Sequence, residues 1–167
     1  MQLEYESPKG LYLSKAKIEE IANTVAKELN YSSGGPLEVI VSELGGKISI
    51  SDVFDDEQKE QIKVNGEGNF TIYIPNYTSP HRDRFTVAHE LGHYVLHSKF
   101  GEIKLIAGRD GDSIAEREAN WFAAALLMPK DEFNKKCSDG LNNIELSRHF
   151  AVSPRAIEVR KKVLGIE

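Results

Sequence analysis

Residues 84–97 read RFTVAHELGHYVLH. On a helix, His89 and His93 stand one turn apart and face the same way, as two imidazoles sharing one zinc ion must. Helicity here has independent support. Ser79-Pro80 supplies a cap and a first helical residue, Phe85, Ala88, Val95 and Leu96 supply an apolar face, and Gly101 can stop the helix after Phe100. Glu90 lies about 60° around the helix from His93, so it flanks the pair without needing to ligate. That is the place for a general base. Gly92 is read as clearance beside the metal. His97 shares roughly the same face, but eight residues at about 1.5 Å rise put it some 12 Å along the axis from His89, and zinc–nitrogen bonds are only about 2 Å. It is assigned to packing or to hydrogen bonding behind the ligands.

A catalytic zinc takes three protein ligands and keeps one position open, so a further residue is required. The stretch SIAEREANWFAAALLM from Ser113 to Met128 offers two carboxylates on different helix faces. Glu118 has Ile114, Ala115, Phe122 and Leu126 around it at helical spacing and so lies within an apolar stripe. Glu116 has Asp112 and Asn120 one turn away on either side, a neighbourhood that reads as facing solvent. A buried carboxylate is costly unless paired or metal-bound. The expected ligand set is therefore His89, His93 and Glu118, with a salt bridge from Glu118 to Arg82 or Arg84 as the alternative.

Outward from this pair of segments the chain reads as mixed α and β. Ser14 caps a helix to about Asn30, and Pro36 opens a second that Gly45-Gly46 ends. KISISDV from Lys47 alternates in period two, and QIKV and NFTIYIP flank the turn-like Asn65–Gly68, which predicts a small antiparallel sheet. DDEQKE between them is a charged loop, and a polar loop covers Gly108 to Asp112. After Pro129, the tail from about Leu141 holds two short helical patterns separated by Val152-Ser153-Pro154, like a helix-turn-helix.

The two blocks RFTVAHELGHYVLH and EREANWFAAALLMP, in this order and with these flanks, resemble the ImmA/IrrE family of zinc-dependent metallo-endopeptidases. The resemblance implies zinc on His89, His93 and Glu118, with Glu90 as catalytic acid and base. It also implies an α+β fold like a minimal thermolysin-type zincin: a small twisted, mainly antiparallel sheet packed on the active-site helix and a second, ligand-bearing helix. The domain then spans residues 1–136, and residues 137–167 form a helical extension. The implied substrate is a cytoplasmic protein, a helix-turn-helix repressor, and NFTIYIP resembles the edge strand on which zincins lay an extended substrate, with an ordinary internal strand as the alternative. An acidic partner for a ligand histidine is expected four residues after Glu118, where Phe122 stands instead. A backbone carbonyl or Asn120 is left to fill that role, and Tyr73, Tyr77, Tyr94 and His81 remain open as oxyanion donors.

The whole chain limits the alternatives. Its 167 residues, 40% hydrophobic and 28% charged, suit a globular domain rather than a disordered one. No apolar run approaches the roughly 20 residues of a membrane span, and the N-terminus lacks a secretory pattern, so a cytoplasmic protein is expected. One cysteine, Cys137, permits no internal disulfide. The net charge of -5 opposes nucleic acid as the main ligand, and five basic against three acidic residues from Leu141 onward leave only a thin phosphate-binding face. The rival to a peptidase is a metal-binding regulator or sensor that acts on DNA or a partner through the tail.

Overall fold

The computed structural model describes residues 4–51, 60–75, 79–108 and 112–166. The Ser14 hydroxyl accepts from the Lys17 amide and opens α1 (Lys15–Glu28), which buries Ile18, Ala22 and Val25. Pro36 precedes α2 (Leu37–Glu43), and Gly46 begins β1 (Gly46–Ser51). A hairpin turning at Glu67-Gly68 joins β2 (Glu60–Gly66) to β3 (Asn69–Pro75), where alternation buries Phe70, Ile72 and Ile74. The charged stretch at 52–59 lies outside the described residues.

The fourth strand, β4 (Leu105–Gly108), was not anticipated, because four residues are too few to display a period. The sheet runs β1-β3-β2-β4. The β2 pairings with β3 and β4 are antiparallel, as expected, but β1 lies parallel to β3 with Ile48 opposite Ile72. This decides NFTIYIP against the edge strand and for the internal one. With β1 on one side and β2 on the other, β3 is interior and its backbone is already paired. The edge of β4 is partly taken by the N-terminal segment, where Glu6 donates to the Lys104 carbonyl at 2.8 Å and accepts from Ile106 at 3.0 Å.

Helix α3 (Pro80–Gly92) begins at the Ser79 cap as its sequence predicts, then widens into a π-helical turn over His93–His97. The helix ends at His97 with Ser98 as its cap, short of the expected Phe100. Gly101 stands in the turn that follows, and its φ of +90° and approach to the Gly66 carbonyl leave no room for a Cβ. Helix α4 (Ser113–Leu127) is capped by Asp112 and lies against both α3 and α1. Gly92 serves this packing. A Cβ there would come within 3.1 Å of the Ala119 backbone, so the clearance is for α4 rather than for a metal.

Pro129 ends α4 but also starts an unanticipated helix, α5 (Lys130–Ser138), and the expected boundary at 136/137 falls inside it. Helices α6 (Asn143–Phe150, with an Asn142/Glu145 capping box) and α7 (Pro154–Leu164) turn about Ala151 at φ +54°. They join the main core. Phe150 packs on Phe133 at 5.5 Å, and buried Arg160 bonds Glu19 of α1 and the Met128 carbonyl. Among the described residues no helix is long and apolar enough to cross a membrane.

Candidate metal centre

Close packing of α3 on α4 brings one carboxylate of α4 to the histidine pair, and it is Glu116. Its two oxygens lie 3.0 Å from His89 Nε2 and 3.0 Å from His93 Nε2. One ligand atom from each of the three residues falls within 4.8 Å of the others. Both remaining ring nitrogens are engaged: His89 Nδ1 is 2.8 Å from Asn120 Oδ1, and His93 Nδ1 is 2.9 Å from His97 Nδ1. A histidine whose Nδ1–H donates to such a partner presents the Nε2 lone pair to a metal. Two imidazole nitrogens and a carboxylate oxygen are the donor set zinc takes in catalytic sites.

Glu118 does not reach the pair. Helical geometry turns it about 200° from Glu116, and its oxygens accept from the Leu11 amide at 2.8 Å, the Leu13 amide at 3.0 Å and His97 Nε2 at 3.2 Å. The apolar stripe correctly marked Glu118 as buried, at 1% exposure. It could not name the partner, which comes from more than a hundred residues away in sequence. The alternative arginines are elsewhere: the Arg84 guanidinium bonds the Ala151 and Gly35 carbonyls and the Tyr31 hydroxyl, and the Arg82 side chain has no acidic partner among the described residues.

His97 takes the supporting place expected of it. If His93 Nδ1–H donates to His97 Nδ1, then His97 Nε2–H is free to donate to Glu118, and one directed chain runs from His93 to the amides of residues 11 and 13. Asn120 likewise fills the role left open for it. The Asp112 and Asn120 neighbours that made Glu116 look solvated are in one case its helix cap and in the other the group that orients His89. The available signal was Glu116 and Asn120 one turn apart, a ligand and a hydrogen-bond acceptor on one face.

Glu90 is 1% exposed, and its Oε2 has no hydrogen-bond partner among the described residues. Burial raises its pKa to about 8, against the pull of His89 and with the repulsion of Glu116. Burial also drives His93 down to about 4, which the Glu116 hydrogen bond only partly opposes. For His89 burial works the same way, but the Glu116 hydrogen bond and the fields of Glu90 and Glu116 prevail and the pKa rises. Glu116 resists desolvation through its hydrogen bonds to His89 and His93, which hold its carboxyl well below the usual range. The cluster thus gathers negative charge and lone pairs around one point, and a cation there would favour the ionised form of Glu90.

Of the oxyanion candidates, Tyr94 is committed: its hydroxyl donates to the Phe100 carbonyl and accepts from the Gly68 amide. Tyr77 lies outside the described residues. Tyr73 is half-buried on β3, and His81 is exposed in the first turn of α3.

The model of the IrrE N-terminal-like domain (Peptidase_M78) matches residues 39–162, which hold all three clustered residues and Glu90. The chain belongs to this peptidase family. Its match starts within α2, so the segment whose amides hold Glu118 precedes it. No curated protein matches. A solved structure, a Mycobacterium tuberculosis transcriptional regulator, has a TM-score of 0.60 at 19% identity, covering 87% of this chain and 46% of that one. The likeness is one of fold, and this chain spans less than half the length of that protein.

Proposed function

We propose that this member of the IrrE N-terminal-like peptidases is a zinc endopeptidase acting on a specific cytoplasmic protein, a helix-turn-helix repressor. His89, His93 and Glu116 would hold the metal, and Glu90 would be the general base. The observation that carries the reading is the convergence of two Nε2 atoms and one carboxylate beside a buried carboxylate oxygen that has no partner among the described residues. A purely structural site has no use for that last feature, since an unsatisfied buried acid costs stability.

Zinc bound there would supply a Lewis acid and bring the pKa of a water toward neutrality. Glu90 Oε2 accepts the proton of the attacking water and returns it to the leaving amine. Asn120 and His97 hold the imidazoles in register. Helices α6 and α7 resemble a helix-turn-helix, which supports the rival reading of a regulator acting through DNA or a partner.

The test is incubation of the zinc-loaded chain with the repressor encoded beside it, comparing wild type and Glu90→Gln. Wild type should cleave, and the variant should bind equal zinc with cleavage reduced by about 100-fold or more. Equal cleavage removes Glu90 from the chemistry. No cleavage by either, with salt-dependent binding to duplex DNA, favours the regulator.

A further inference from the structure

A groove of about 670 Å³ opens between the first turns of α3, the outer face of α4 and helix α7. It adjoins the histidine pair. Asn120, whose Oδ1 meets His89, is in its wall, Phe85 lies one turn before His89, and Arg117 follows Glu116. Phe85, Trp121, Met128, Val159 and Val163 supply much of its lining, and Val159 and Val163 are 47% and 43% exposed. Such a surface favours burial of apolar side chains.

The charges in the groove run against the charge of the whole. In a chain of net charge -5, the lining residues include Arg82, Arg117, Arg155 and Arg160 and no acid. Arg160 is spent on Glu19 and Met128, and Arg155 has an exposed pairing with Glu158 at 3.3 Å. The side chains of Arg82 and Arg117 have no acidic partner among the described residues. Ser79 and Ser153, the caps of α3 and α7, also line the groove, so the positive ends of two helices lie at its wall beside the arginines.

We infer that this groove docks an acidic, apolar segment of the protein substrate, with carboxylates on Arg82 and Arg155 and hydrophobic side chains between Trp121 and Val159. This rests on the peptidase reading and adds a substrate class to it. A polypeptide fits better than a duplex, because phosphates gain nothing from the apolar walls whereas an amphipathic segment uses both features.

The experiment selects random dodecapeptides displayed on phage against the full-length Glu90→Gln chain, so that bound peptides survive, and repeats the selection with Arg82→Glu and Arg155→Glu added. Selected peptides should be rich in Asp or Glu next to Leu, Ile or Phe. The best, labelled with fluorescein, should lose at least tenfold in affinity on the charge-reversed chain and several-fold on Val159→Asn, with circular dichroism unchanged. Peptides without acidic enrichment, or bound equally by the charge-reversed chain, overturn the inference. So does tighter binding of a labelled 20-base-pair duplex that the same reversals abolish. Binding is read without turnover, so the docking result stands or falls apart from the repressor-cleavage assay, which alone decides the peptidase reading.

Discussion

Two carboxylates on α4, two residues apart, meet opposite surroundings. Glu116 is one-third exposed and touches both histidines, whereas Glu118 is buried and touches neither. Burial by itself did not tell the carboxylate beside the histidine pair from the one held by distant backbone amides. A catalytic metal centre keeps one position open to water and substrate, and in this cluster Glu116 is on the exposed side while His93 is fully buried; a carboxylate sealed in the core needs full satisfaction from its own protein. Glu118 has that from two amides and an imidazole. Its work is structural and indirect, tying the segment at residues 11–13 to the back of His93 through His97.

The comparison breaks most sharply on Glu116→Gln. Losing a direct ligand should weaken zinc binding by more than about 100-fold, beyond what groups behind the ligands usually cost, while the urea midpoint of the metal-free chain moves little. Competition against a chromophoric chelator reads the first and fluorescence the second. Equal zinc affinity would return the third ligand to an open question.

Glu118→Gln should do the reverse. An amide nitrogen now faces an N–H donor in a buried site, at a cost of about 2 kcal/mol, read as a lower urea midpoint with zinc still binding at one per chain. Complete loss of zinc in a folded variant would mean that the two faces are not separable. Asn120→Ala sharpens the same contrast from the Glu116 side. It frees His89 to rotate, and zinc affinity should fall by about 10-fold to 100-fold with the unfolding transition nearly unchanged. A large stability loss would make Asn120 part of the packing instead.

Much of this was legible along the chain because it is local. A cap at Ser14 or Ser79, an apolar face on α4 and the spacing of His89 and His93 are each written within a few residues. β4 escaped for its brevity, and α5 because Pro129 ends one helix and starts the next. The parallel partner of β3 escaped because pairing across a crossover leaves no periodic mark. The polar neighbours of Glu116 do lie at the surface, as their composition reads, but did not reveal the histidine pair beside them. A site and a solvated face have the same composition, and only the position of the opposing helix tells them apart.

What the one-dimensional order of residues determined is therefore the pair of histidines, the acid between them and the helical phase of everything on α4. Which side of α4 meets α3 was decided only by the folded chain. There, Gly92 lets the two backbones approach, and the distant amides of Leu11 and Leu13 claim Glu118, so that Glu116 is left to the histidines. Helical phase sets the angle between two side chains, but their partners depend on contacts between segments that sequence spacing does not encode.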